Sequence, residues 1–200
     1  MTCIVGLEKS GTVWMGGDSA GTAGNMHQRV RGDKKVFIKG EFIIGFCGSF
    51  RMGQLLQYSL VLPEQPEGKG DFEFLVTDFI DALKVCLKPK PGEEKQEQQL
   101  TITDLLKRGH RADEDDLSPS FLFGYRGHLY GVQGDYQITK PEEGFDAMGS
   151  GADIAVGAMH ASVKTWQNPR KRLTQALDAS AKNNAAVRPP FTILSLKKGR

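Results

Sequence analysis

The feature that most constrains this chain is a set of short, continuously apolar runs that come in pairs, each pair joined by a tight turn. Thr2 to Glu8 is apolar and β-compatible, Lys9-Ser10-Gly11 reads as a turn, and Thr12 to Gly17 resumes the run. Val36-Phe37-Ile38 and Phe42-Ile43-Ile44 flank Lys39-Gly40-Glu41 in the same way, and Phe121 to Tyr125 and Leu129 to Val132 flank Arg126-Gly127-His128. A short glycine-containing turn between two such runs makes a hairpin. A strand with one wet face would alternate apolar and polar residues. These do not, so they are expected to be covered on both faces.

Helical spacing separates the hairpins. Phe50 to Leu60 sets Met52, Leu55, Leu56 and Leu60 on one side. Asp71 is a plausible N-cap for a helix whose apolar face carries Phe72, Leu75, Phe79, Ile80, Leu83 and Leu87, and Pro89 and Pro91 end it. Gly149-Ser150-Gly151 opens a helix of small residues from Ala152 to about Trp166. A further helix begins at Asn168, a good N-cap followed by Pro169 at the first helical position, and runs to about Lys182. Phe191 to Leu196 reads as a closing strand, and Ser19 to Asn25 as a loop. Lys88 to Ser120 is charged and poor in apolar residues, so it reads as a solvated loop or insertion with a possible short helix at Ile102 to Leu106. Grouped strands and paired helices suit an antiparallel sheet sandwich between helical layers, an α+β fold of four layers, α, β, β, α. With 200 residues this makes one domain over residues 1–200, with 88–118 as the charged insertion.

Composition removes several function classes. The formal net charge of +2, with no basic run interleaved with aromatics, argues against nucleic acid as a partner. No apolar stretch nears the roughly 20 residues that span a bilayer, and no charged leader precedes an apolar segment at the N-terminus. Cys3, Cys47 and Cys86 are odd in number and widely spaced, which fits a reducing, cytoplasmic setting better than a disulfide framework. His27, His110, His128 and His160 lack metal-ligand spacing. Gly149-x-Gly151 lacks the third glycine of a dinucleotide site, and there is no Gly-x-Ser-x-Gly elbow. No cofactor is expected. Arg31-Gly32-Asp33 matches an adhesion tripeptide, which chance explains in a cytoplasmic chain.

The N-terminus carries the chemistry. Removal of Met1 would leave Thr2 with a hydroxyl and a free α-amine on one residue. A hydroxyl nucleophile needs a neighbouring base, and an α-amine with an ordinary pKa of ~7.7–8.0 can serve near neutral pH. A nearby lysine would lower that pKa, and a carboxylate would keep the lysine charged and in place. Asp18 in Gly-Gly-Asp-Ser stands at the end of the second strand, and Lys34-Lys35 stands at the start of the third.

Thr-Cys-Ile-Val-Gly-Leu from residue 2, Gly16-Gly17-Asp18-Ser19-Ala20, Gly24-Asn25, Lys34-Lys35-Val36, Gly45-Phe46-Cys47-Gly48-Ser49 and Gly149-Ser150-Gly151 follow the order and spacing of a known set of motifs. In these the chain resembles the proteasome β-type subunits, in particular the bacterial ring peptidases that work with a separate ATPase and their bacterial and phage relatives. The resemblance spans nearly the whole chain outside 88–118. It implies an N-terminal-nucleophile hydrolase with Thr2 as nucleophile, Asp18 as the partner of the lysine, Gly48 as oxyanion donor through its N–H, and Ser150 supporting the amine. Ungapped counting selects Lys34 for the lysine; anchoring on the strand that follows selects Lys35. Adjacent strand residues face opposite ways, and Lys35 is preferred because indels fall more easily in the preceding loop. Ser150 reads equally well as an N-cap. The family often has an aspartate and a serine after the last helix. Here Asn183 stands for the aspartate and no serine follows at a suitable distance. The resemblance further implies a homo-oligomeric ring, peptide or unfolded-protein substrates and an ATPase unfoldase partner. An amidase or acylase of the same fold, or a non-catalytic subunit, is the alternative.

Overall fold

A computed structural model describes residues 2–23, 27–88, 120–164 and 168–199. The Gly24-Asn25 pair, most of the charged 88–118 stretch with its helix at 102–106, and the end of the helix drawn to Trp166 lie outside the described residues.

The first two apolar runs form β1 (Ile4–Lys9) and β2 (Thr12–Gly17), paired antiparallel from Ile4↔Gly17 to Lys9↔Thr12. Ser10 and Gly11 turn the hairpin with positive φ. The second and third hairpins are β5 (Val36–Lys39) with β6 (Phe42–Phe46), and β7 (Phe121–Tyr125) with β8 (His128–Val132). The closing strand is β11 (Thr192–Lys197), which lies against β2.

Four strands come from stretches the pattern leaves unmarked. The expected loop at 19–25 contains β3 (Ala20–Ala23), paired with β4 (His27–Val30) in a two-stranded ribbon. Most of its residues are polar or small, so no apolar alternation announces it. Asp18 begins it instead, with Oδ2 accepting from the Ala20 N–H at 2.9 Å. β9 (Ile138–Thr139) edges β8, and β10 (Phe145–Met148) pairs with β1. The two large sheets run β10-β1-β2-β11 and β5-β6-β7-β8-β9.

The helices sort by sheet. α1 (Phe50–Gln54) runs into a π-helical turn at Leu55–Ser59. α2 (Asp71–Phe74) runs through a second such turn, Leu75–Phe79, into α3 (Ile80–Leu87). Gly70, not Asp71, is the N-cap of α2. The Asp71 carboxylate is engaged elsewhere, accepting from Gln65 Nε2 and Arg126 Nη1. The π turn shifts the phase of the buried stripe, because an i→i+5 turn uses more residues than a 3.6-residue one. Phe74 is therefore fully buried, whereas Phe72, expected on the inner face, is half exposed. α4 (Ala152–Ala161) and α5 (Pro169–Asn183) follow, with Asn168 capping α5 through the Lys171 N–H.

Three buried clusters define the layers. Phe42, Ile44, Phe46, Phe121, Phe123 and Tyr125 of the five-stranded sheet pack on α1–α3. Cys3, Val5, Leu7 and Phe145 pack on α4 and α5. Ile4, Val13, Met15, Val36, Ile43, Leu122 and Leu129 fill the space between the sheets. Continuous apolar runs are required here because alternate residues of the same strand feed different clusters. The fold is the expected α+β, αββα sandwich. No helix among the described residues is long and apolar enough to cross a membrane.

Phe123 is fully buried, with its ring 5.1 Å from that of Phe79 and 5.3 Å from that of Tyr130. Replacing Phe123 by Ala is expected to destabilise the protein by about 3–5 kcal/mol through lost burial and an unfilled cavity. The chemical-denaturation midpoint would show the change.

Candidate active site

The two sheets bring their ends together at the start of the chain. Cys3 continues β1 opposite Asp18, whose N–H donates to the Cys3 carbonyl at 3.2 Å. Thr2 therefore emerges beside the residue that ends β2. Lys35 stands just before β5, in the facing sheet, and its side chain enters the gap between the sheets. Its Nζ lies 2.7 Å from Asp18 Oδ1 and 3.0 Å from Thr2 Oγ1. Thr2, Asp18 and Lys35 are each only 2 % exposed, whereas Lys34 faces solvent. Of the two adjacent lysines, the one that reaches Thr2 is Lys35.

Asp18 is saturated. Oδ1 accepts from Lys35 and from the Cys3 N–H (3.1 Å), and Oδ2 accepts from the N–H groups of Ala20 (2.9 Å) and Arg188 (3.3 Å). Four donors fix the carboxylate in place. Burial pushes the Lys35 pKa down, and the Asp18 charge and hydrogen bond oppose that shift. Beside Thr2 the fold thus holds a lysine that yields its proton more readily than an ordinary surface lysine.

Ser150 approaches from the far side. Its Oγ is 3.3 Å from the Thr2 nitrogen, as acceptor, and 3.4 Å from the Thr2 carbonyl, to which it can donate. The alternative role as helix cap does not hold. Gly151 is the N-cap of α4 and no side chain caps it. Gly149 has φ +100°, and a Cβ there would fall 2.3 Å from the Thr2 carbonyl oxygen, so only glycine lets this loop close on Thr2. Gly48 also has positive φ, +82°, with open space where a Cβ would stand. It is exposed between β6 and α1, so its backbone can meet an incoming group.

Asn183, proposed to stand for a missing aspartate, does not reach this site. Its amide donates to Ala179 of its own helix at 2.8 Å. The next residue does reach it: Asn184 Nδ2 donates to the Ser150 carbonyl at 2.7 Å, while Asn184 Oδ1 accepts from the Ala186 N–H at 2.9 Å. The sequence marks the asparagine pair but not which member leaves the helix axis. Two thiols border the site. The Cys3 pKa is raised by burial to about 11, and burial likewise raises that of Cys47. Both are therefore poor thiolate nucleophiles. No group of three or more His, Cys, Asp or Glu that could hold a metal occurs among the described residues.

No family model matches the chain. It is 26% identical to the ATP-dependent protease subunit HslV of Brevibacillus brevis, over 93% of this chain and 89% of that protein. It is also 26% identical to the HslV subunit of Caldicellulosiruptor saccharolyticus, over 98% of both. Among solved structures it is similar to Thiobacillus denitrificans BPH in complex with epoxomicin, with a TM-score of 0.71 at 16% identity and full coverage of both chains. It is similar too to Trypanosoma brucei HslV, with a TM-score of 0.64 at 18% identity over 98% of this chain and 99% of that one. These likenesses give the fold as that of the N-terminal-nucleophile hydrolases, in keeping with the resemblance to proteasome β-type subunits.

Asp18→Asn would leave the buried Lys35 ammonium without its carboxylate. A loss of about 3 kcal/mol in stability is expected at pH 7. Because the folded-state pKa of that lysine falls further in the variant, the deficit should shrink as pH rises through it towards 10, where the neutral amine is buried at less cost. Denaturant titrations of both proteins at pH 7 and pH 10 measure this.

Proposed function

We propose, from the premise that this chain is an N-terminal-nucleophile hydrolase of the proteasome β type, that it is a threonine-type peptidase acting through Thr2. The observation that carries the reading is the hydrogen-bonded series Asp18 Oδ1, Lys35 Nζ, Thr2 Oγ1, at 2.7 and 3.0 Å in a buried site. Once Met1 is removed, the Thr2 nitrogen is an α-amine. It takes the proton of its own hydroxyl as Oγ1 attacks the peptide carbonyl. The Lys35 ammonium stabilises the developing negative charge on Oγ1, and Asp18 keeps it charged and aimed. Ser150 Oγ accepts from the amine and steadies its lone pair. The exposed backbone at Gly48 supplies an N–H to the oxyanion of the tetrahedral intermediate, a contribution of roughly 2.7–4 kcal/mol for one such donor. Collapse expels the amine product, which takes up the proton held by the Thr2 amine. Water then hydrolyses the acyl-enzyme by the same route.

The reading extends to assembly. Two relatives are named as subunits of an ATP-dependent protease. We propose that this chain too forms a homo-oligomeric ring, takes unfolded protein as substrate and works with a separate ATPase in the cytoplasm. Exposed Tyr58, Val61 and Val85 on the α1–α3 layer are suited to burial between subunits. Light scattering coupled to size exclusion is expected to give a mass several times that of the 22.0 kDa chain. A monomer would favour an amidase of the same fold.

Epoxomicin, found bound to the Thiobacillus protein, serves as the mechanistic probe. Purified protein is expected to lack Met1 by intact mass and to carry the inhibitor on Thr2 by peptide mapping. Retained Met1 with no labelling would identify a non-catalytic subunit. Thr2→Ala should lower kcat/KM on peptide substrates by at least about 10³-fold.

The pH profile follows from the same geometry. The acid limb of kcat/KM should be set by the Thr2 amine, whose ordinary pKa is ~7.7–8.0. Activity is lost as pH falls through that limb, because the protonated amine cannot accept. Steady-state rates between pH 5 and pH 9 locate it.

A further inference from the structure

The scheme above leaves unused a second ion pair beside the site, in the Arg31-Gly32-Asp33 tripeptide. The Arg31 N–H donates to the Ser19 carbonyl at 2.9 Å, which ties the residue to the segment that holds Asp18. Its stem lies on Gly21 of β3, where a Cβ would fall 2.4 Å from Arg31 Cδ and displace it. Its guanidinium lies over the ring of Phe50, the first residue of α1, with Cζ 3.9 Å from the centroid. Lys35 Nζ is 5.7 Å from that same centroid and 3.0 Å from Thr2 Oγ1. Arg31 therefore bridges the two segments that flank Thr2, 18–21 and 48–50, and puts a cation beside them.

The guanidinium is held in one plane. Asp33 accepts from Nε and Nη2, each at 2.7 Å, and the Phe50 ring supports the face. Phe46 packs edge-on against Phe50, with centroids 5.8 Å apart, so the platform is itself fixed. Among the described residues, no hydrogen-bond acceptor meets Nη1. The pair is well short of buried, with side chains 40 % and 44 % exposed, so a ligand can reach it. An ion pair this exposed adds little to stability. Its geometry suits orientation: one carboxylate takes two donors and leaves the third nitrogen of the fork for another acceptor.

We propose that Arg31 is a specificity-determining residue that accepts an Asp or Glu side chain on the acyl side of the scissile bond. The proposal rests on the reading that Thr2 attacks a peptide carbonyl. With the carbonyl oxygen at Gly48 and its carbon at Thr2 Oγ1, the side chain of the residue that contributes the carbonyl enters between β3 and α1. It meets the Phe50 ring with its cationic cover, and a carboxylate there accepts from Nη1. A neutral isostere forms the weaker bond, and an aliphatic side chain leaves Nη1 with water or with nothing.

The test uses three fluorogenic peptides that differ only in the residue before the reporter amide, with Glu, Gln or Leu there. For the full chain, kcat/KM with Glu should exceed that with Gln by about tenfold or more, and added salt should narrow the gap because the pair is half exposed. Arg31→Met should bring the Glu-to-Gln ratio to about one, and Arg31→Glu should reverse it. Epoxomicin labelling of Thr2, followed by mass in every variant, reports that the nucleophile is still formed. A wild-type protein that is labelled at Thr2 yet cleaves the Gln or Leu peptide as well as the Glu peptide would overturn the assignment. So would an Arg31→Met ratio equal to the wild-type one. A wild-type protein that is neither labelled nor active on any of the three removes the threonine-peptidase reading, and this assignment with it.

Discussion

The contact on which the site depends is the buried pair of Lys35 and Asp18, 2.7 Å apart and almost wholly out of water. Two charges removed from solvent cost several kcal/mol each, and their mutual attraction repays that cost only when the remaining donors and acceptors are also satisfied. Here Asp18 takes four hydrogen bonds, three from backbone N–H groups at residues 3, 20 and 188. The carboxylate thereby ties β1, the ribbon β3–β4 and the chain leading into β11 to one point. The lysine it holds belongs to the opposite sheet. A pair that adds little net stability can still fix how the two sheets meet, and that register sets where the Thr2 hydroxyl lies.

The layering explains how a strand end becomes a reactive site. Both sheets are covered by helices on their outer faces and by each other on their inner faces. Backbone polar groups in their interiors are used in the ladders, so an exposed donor can stand only where a strand stops. Thr2, Asp18, Lys35 and Gly48 all stand at or within two residues of such ends, and Ser150 follows β10 after Gly149. The glycines fit this need: Gly149 lets a loop touch the Thr2 carbonyl, and Gly48 turns the chain with its backbone open to solvent. A protein surface at a sheet end is also where solvent enters, yet Thr2 is 2 % exposed. Within this chain Thr2 is recessed between the ends of the two sheets.

Most of the architecture was readable because it follows from local rules. Hairpins announce themselves by turn residues between apolar runs, and the doubly covered sheets by the lack of alternation. The start of α5 needed only Asn168 and Pro169. What escaped was set by tertiary context. β3 and β4 pair across residues with no apolar signature, and their start is fixed by Asp18. The inner face of α2 departs from the sequence expectation at Phe72 because a π turn shifts the phase and no residue type marks that shift. The nearness of Thr2, Asp18 and a lysine could be inferred from their places at strand ends. The choice between Lys34 and Lys35 depended on the inward direction of one side chain, and the choice between Asn183 and Asn184 on where a helix lets go.

Arg31 shows the same limit from the opposite side. In sequence it is part of a tripeptide with no bearing on the site, in a segment between a polar ribbon and a strand. Its placement over Phe50 follows from three tertiary facts: the backbone bond to Ser19, the missing side chain at Gly21, and the Asp33 carboxylate that turns the guanidinium flat. None of these involves Thr2, Asp18 or Lys35, so the two sets of contacts can change independently. A fold of this kind can hold the Asp18–Lys35–Thr2 geometry constant, since any loosening exposes a buried charge, while a cleft residue held by exposed contacts is free to vary. Specificity would then be written in the ribbon and at the start of α1, and reactivity in the buried pair between the sheets.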